Sequence, residues 1–191
     1  MNTPLEKSYG KMKNQLFAHL DGEVLEIGPG AGVNFGHYPK SVRVRGVEPN
    51  PYMHPYLEQA AEEAGLAFEI DGGHAEELHA ADGSVDHVVS TLVLCSVFDM
   101  DRVLAEILRV LKPGGTFVFI EHVAGPRGSV VRRVQDFVRP AWVKVGDGCN
   151  PNRETWGHIE SAGFSDVHLE HRSIKTPFVI VNPHILGKAV K

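Results

Sequence analysis

Cysteine is nearly missing from this chain of 191 residues, where only Cys95 and Cys149 occur. Two thiols cannot build the dense cross-link framework of a small secreted domain, so a reducing compartment, the cytoplasm, is expected. Long apolar runs are missing as well. The most apolar stretch, Val85 to Phe98, is shorter than the roughly 20 residues that cross a bilayer and carries Asp86 and His87 inside it, so no transmembrane segment is expected. Met1 to Asn14 is polar, is interrupted by Pro4 and Gly10, and lacks the apolar centre of a signal peptide. Nor is there a strong charge of one sign. The 19 basic and 24 acidic residues leave a net charge of −5, which argues against nucleic acid and anionic membranes as partners. What remains, 42% hydrophobic and 23% charged residues without repeats, is the composition of a globular protein, and the length suits a single domain over 1–191.

Apolar runs alternate with amphipathic ones from end to end, the pattern of a mostly parallel sheet covered by helices on both faces. After an N-terminal helical segment over residues 1–20, strands are predicted at Val24–Ile27, Val42–Val47, Leu66–Ile70, Val85–Leu92 and Thr116–Val123. The run Val85 to Leu92 is apolar throughout, which fits a central strand buried on both faces. Helices are predicted from Pro51 to Ala64, and from Asp99 through Val103, Leu104, Ile107 and Leu108 to Leu111, where Pro113-Gly114-Gly115 stops the second. Residues 125–152, rich in Gly, Pro and Arg, carry a short helix from Val130 to Val138 and read as a lid or substrate loop, a mobile cover. A helix capped near Asn152 then runs to Ala162. Val167–His171 and Phe178–Val190 complete seven strands, and their short connection favours an antiparallel hairpin.

Val24-Leu25-Glu26-Ile27-Gly28-Pro29-Gly30-Ala31-Gly32 is a buried strand feeding a glycine-rich turn. Glycine lets the backbone turn sharply and approach a ligand where a Cβ would collide. The third glycine follows the second by two residues, not three, and Glu26 precedes the turn. A carboxylate there would repel a dinucleotide pyrophosphate and suit a ligand carrying an ammonium group, which sets an NAD-dependent dehydrogenase aside. Glu48 ends the second strand, 20 residues beyond Gly28, at the offset that places an acid over a ribose. A helix cap is its bland alternative.

These motifs, with Gly73-His74-Ala75-Glu76-Glu77-Leu78, Asp82-Gly83-Ser84-Val85-Asp86 and Arg109-Val110-Leu111-Lys112-Pro113-Gly114-Gly115, resemble in order and spacing the class I S-adenosylmethionine-dependent methyltransferases, over nearly the whole chain. The resemblance implies a Rossmann-like sheet and S-adenosylmethionine as cofactor. Glu26, Gly28, Gly30 and Gly32 would surround its methionine part, Glu48 and Pro49 its ribose, and His74 and Ala75 its adenine. The family often has an Asp near His74, where a neutral imidazole or the Ala75 backbone would substitute. Thr91-Leu92-Val93-Leu94-Cys95-Ser96-Val97, Glu121-His122-Val123, Pro140-Ala141-Trp142, Asp147-Gly148-Cys149-Asn150 and Pro183-His184-Ile185 are similar to the alkyl thiol methyltransferases and their relatives, which implies a small thiol as acceptor.

Ligands of open α/β sheets lie beyond the carboxyl ends of the strands, which puts Thr91 and Leu92 with the segment to Ser96, and Glu121-His122, beside the transferred methyl. His122 is the general-base candidate by type and place, with a backbone-bonded strand-end imidazole as its plain alternative. Asp147 would orient His122 or bind the acceptor, or else make an Asx turn before Gly148. Phe137 and Trp142 would wall an apolar acceptor pocket or pack in the core. Cys95 and Cys149 read as packing and loop thiols, and the arginines at 127, 132, 133 and 139 as a solvated helix face. His37, His54 and His79 lack metal-ligand spacing, so no metal is expected. O-, N- or C-methylation of a small metabolite such as a quinone, and a non-catalytic adenosyl-ligand binder, stand as the other readings.

Overall fold

A computed structural model describes residues 4–191; the first three residues of the expected N-terminal segment lie outside them. The elements run α1 (Pro4–Phe17), β1 (Glu23–Ile27), β2 (Arg43–Val47), α2 (His54–Ala64), β3 (Ala67–Asp71), β4 (Val85–Thr91), α3 (Met100–Val110), β5 (Leu111–His122), α4 (Val130–Val145), α5 (Thr155–Ser161), β6 (Asp166–Ser173) and β7 (Pro183–Val190). The seven strands form one sheet in the order β3-β2-β1-β4-β5-β7-β6. β1 to β5 are parallel, and β7 lies antiparallel between β5 and β6. This is the Rossmann-like sheet with its C-terminal antiparallel hairpin.

Alternation along the strands divides the core into two layers. Leu25, Ile27, Val88, Phe117 and Phe119 pack with Val103, Leu104 and Ile107 of α3 on one face. Val24, Val89 and Val118 pack with Phe17, Phe35, Leu57 and Ala61 on the other. A strand with both faces covered needs apolar residues at successive positions, which is why β4 and β5 read as unbroken runs. α3 is capped by Asp99, whose side chain accepts from Arg102 N at 3.1 Å. No helix among the described residues is long and apolar enough to cross a membrane.

Several boundaries differ from the sequence reading, the following three among them. α3 ends at Val110, and Pro113-Gly114-Gly115 lies inside β5, where the register against β4 shifts between Val85 and His87. The glycines therefore make a bulge, not a helix stop. α4 runs to Val145, straight through Pro140. Both Pro140 and Asp136, whose carbonyl loses its helical donor, are exposed, so water replaces that bond. The stretch from Phe178 to Asn182 is a 3-10 turn at Val179–Val181 before β7, since Thr176 and Asn182 bond each other at 2.9 Å and close the connection.

Candidate functional site

The strand order reverses between β1 and β4, and a cavity of about 930 Å³ opens beyond their carboxyl ends. One side is built by the turn after β1. Gly28 and Gly30 both have φ of +58°, a conformation that costs a side-chain-bearing residue strain. A Cβ on Gly28 would stand 2.7 Å from Val93, whereas one on Gly30 meets nothing within 4 Å and would project into open space. The turn is thus drawn against the neighbouring strand end while its second glycine leaves room for a ligand. Glu48, at the end of β2, accepts from Gly30 N and from Asn50 N, each at 3.0 Å, and lines the cavity with Pro49, His74 and Ala75. A carboxylate holds about four acceptor sites, so two remain for ligand hydroxyls.

The other side is the loop after β4. Leu92, Val93, Ser96, Val97 and Phe98 line it, with Asp147 reaching over from the turn that follows α4. Leu92 has φ of +61°, a left-handed conformation that a leucine adopts only when its surroundings enforce it. Glu121 enforces it. Its carboxylate, wholly buried, accepts from Ser90 Oγ at 2.6 Å, Leu94 N at 3.1 Å and Val93 N at 3.3 Å. Burial pushes the Glu121 carboxyl up to about 7 against these bonds.

Gly28, Gly30, Glu48, Pro49, His74, Ala75, Leu92 and Asp147 therefore meet around one cavity. Four of the expected site residues stand elsewhere. Glu26 shares a sheet face with Val24, so its side chain lies under the glycine turn, where it accepts from Asn34 Nδ2 at 2.6 Å and Tyr38 OH at 2.7 Å. It braces the turn and does not line the cavity, and burial pushes its carboxyl up to about 7. Thr91 accepts from the same Asn34 Nδ2 at 3.1 Å, behind the wall. Gly32 packs on α2, where a Cβ would approach Ala60 to 2.6 Å.

His122 is the largest correction. It is buried, and its Nε2 faces Cys149 Sγ at 3.1 Å, so it stands behind the loop after β4 and does not reach the cavity. Trp142 donates Nε1–H to the same sulfur at 3.1 Å and sets its ring edge-on to Phe178. Hydrogen bonding from Cys95 is the leading cause that holds the Cys149 thiol below its usual range, with His122 adding to it. Phe137 is 86% exposed and shields nothing, because it belongs to an outward stripe of α4 with Val130, Val134 and Val145. Glu121, Asn34 and Tyr38 carried no signal of their role in the sequence, since the segments they join meet only in the folded sheet.

The profile of the methyltransferase domain family matches residues 25–119. The chain is 42% identical to thiol S-methyltransferase TMT1B of Rattus norvegicus, with all of this chain and 84% of that protein covered. It is 43% identical to thiol S-methyltransferase TMT1A of Homo sapiens, with 94% and 78% covered. Among solved structures, the [4+2]-cyclase SpnF superposes with a TM-score of 0.76 at 18% identity, over 96% of this chain and 80% of that one, a likeness of fold.

Proposed function

The chain belongs to the family of S-adenosylmethionine-dependent thiol S-methyltransferases, and from that premise we propose that it transfers the methyl group of S-adenosylmethionine to a small-molecule thiol. The observation that carries this reading is the 42% identity to a thiol S-methyltransferase over the whole chain. When bound, S-adenosylmethionine supplies an electrophilic methyl group on a sulfonium that departs as a neutral thioether. The residues present fit it. The turn at Gly28 and Gly30 offers open space for the methionine part, Glu48 offers its free lone pairs to ribose hydroxyls, and His74 and Ala75 would flank the adenine. Glu26 and Gly32 hold that turn in shape from behind.

The acceptor side is mostly apolar, formed by Leu92, Val93, Val97 and Phe98, with Ser96 among them and Asp147, Asp99 and Arg102 as charged groups on the same lining. Apolar walls exclude water and hold two reactants in line, which is most of what methyl transfer asks of a protein. A thiol suits this wall. A thiol with a pKa near 8.5, like that of free cysteine, is a few per cent thiolate near neutral pH, so no strong base need touch it. His122 then supports the wall through Cys149, and the turn from Gly146 to Asn150 covers the acceptor.

The test is a panel of an alkyl thiol, a phenol and a quinone with methyl-labelled cofactor. Label should pass to the thiol fastest by far. Preferential transfer to oxygen, nitrogen or carbon would replace the thiol reading, and tight cofactor binding with no transfer to any acceptor would make the protein a binder.

A further inference from the structure

Behind the acceptor wall, three segments distant in sequence each bring one soft donor to the same point. Cys95 comes from the loop after β4, His122 from the end of β5 and Cys149 from the turn after α4, and all three are buried. Their ligand atoms lie within 4.8 Å of one another. Tetrahedral zinc, with Zn–S near 2.3 Å, spaces its sulfurs at roughly 3.8 Å, within that range. His122 Nε2 already points at Cys149 Sγ, and His122 Nδ1 is buried with no hydrogen-bond partner among the described residues.

Contacts around the cluster hold one of its sulfurs and the loops that carry both cysteines. Trp142 Nε1–H donates to Cys149 Sγ at 3.1 Å. Asn150 N donates to Cys95 O at 2.9 Å and joins the two cysteine-bearing loops. Arg153 holds the Cys95 loop by donating to Leu94 O at 2.6 Å and Val97 O at 2.8 Å. No carboxylate belongs to the donor set.

We propose that Cys95 Sγ, His122 Nε2 and Cys149 Sγ form a three-ligand site for a soft cation of the zinc or cuprous class. Two sulfurs and one imidazole select such ions over magnesium or calcium. On binding, each thiol releases its proton to solvent and the imidazole binds through its neutral nitrogen. The ion would clamp the turn after α4 to the sheet and leave one coordination position open. The sequence expectation of no metal rested on spacing; here 27 residues separate each ligand from the next, outside any close-ligand signature.

The experiment titrates untagged, fully reduced full-length protein with Zn²⁺ against a chromophoric chelator, and repeats it with Cd²⁺ to read thiolate-to-metal absorption. One ion per chain should bind, with a thiolate band, and melting temperature should rise with added zinc. The Cys95→Ser, Cys149→Ser double variant should lose more affinity than the roughly 10–100-fold typical of an outer-shell change. Its unchanged calorimetric affinity for the demethylated cofactor would show an intact fold. If that variant does not fold, alkylation of the wild-type chain decides instead: zinc should shield both thiols. Zinc binding equal in wild type and double variant, no zinc uptake by reduced protein, or equal alkylation with and without zinc would each overturn the site. None of these readouts depends on the acceptor.

Discussion

Glu48 Oε2 accepts the backbone N–H of Gly30 at 3.0 Å, so the acid at the end of β2 and the glycine turn at the end of β1 are one structure, not two neighbouring motifs. Both sit at the cavity because parallel strands β1 and β2 end together: Ile27 pairs with Val47. A carboxylate fixed by Gly30 N and Asn50 N is oriented before any ligand arrives.

Replacing Glu48 with Ala should therefore weaken binding of S-adenosylmethionine and its demethylated product. One lost charge-assisted hydrogen bond is worth about 1.5–3 kcal/mol, roughly ten- to over a hundredfold in affinity. Titration calorimetry reads this directly. An unchanged dissociation constant would place the carboxylate off the ribose.

Stability should fall as pH rises across the range set by Glu26 and Glu121. Each carboxyl is raised from 4.5 to about 7 by burial, so the folded state holds protons that the unfolded chain has released. The contribution is fully present below 4.5 and is lost as pH climbs through about 7. Glu26→Gln, which keeps an acceptor oxygen for Asn34 or Tyr38, should flatten the pH dependence of the urea midpoint over that window. A midpoint for Glu26→Gln that shifts with pH as steeply as the wild type would show that Glu26 is ionised throughout.

Thiol methylation should accelerate with pH as the acceptor ionises, and His122→Ala should slow it only moderately. The motivation is the position of His122, which faces Cys149 Sγ and not the cavity. Rate profiles of wild type and variant, each with a saturating cofactor concentration, separate the cases. Complete loss of thiol turnover with cofactor affinity intact would mean an obligatory proton acceptor.

The turn from Gly146 to Asn150 should gain amide protection when the demethylated cofactor and an acceptor analogue bind together, since Asp147 on it lines the cavity. The body of α4 should change less. Gln135 is buried within it and ties it down by accepting from Gly125 N at 2.7 Å and donating to Ile180 O at 2.7 Å. Hydrogen exchange resolved to single peptides distinguishes the two. If the turn is as protected as β4 without ligands, and Trp142→Ala alters stability but not acceptor affinity, the segment is fixed structure and no cover.

What the sequence determined by itself is whatever follows from neighbours along the chain. Strand, glycine turn and acid at fixed offsets place Gly28, Gly30 and Glu48 together, because a parallel βαβ unit has little freedom in where its strand ends point. The 3.6-residue period of Val103, Leu104 and Ile107 similarly specified the buried face of α3, to which the fold adds Val110 in place of the half-buried Leu108. Tertiary structure decided what depends on which face a strand-end side chain takes and on what crosses to meet it. Glu26 lies one residue from Ile27 and so turns to the opposite layer, under Asn34 and Tyr38, away from the cavity. His122 meets Cys149 because the turn after α4 returns to the end of β5, a closure 27 residues long that no local pattern encodes. Phe137 faces outward because Gln135, an amide able to satisfy three backbone groups, takes the inward side of α4, a choice that hydrophobicity alone reverses.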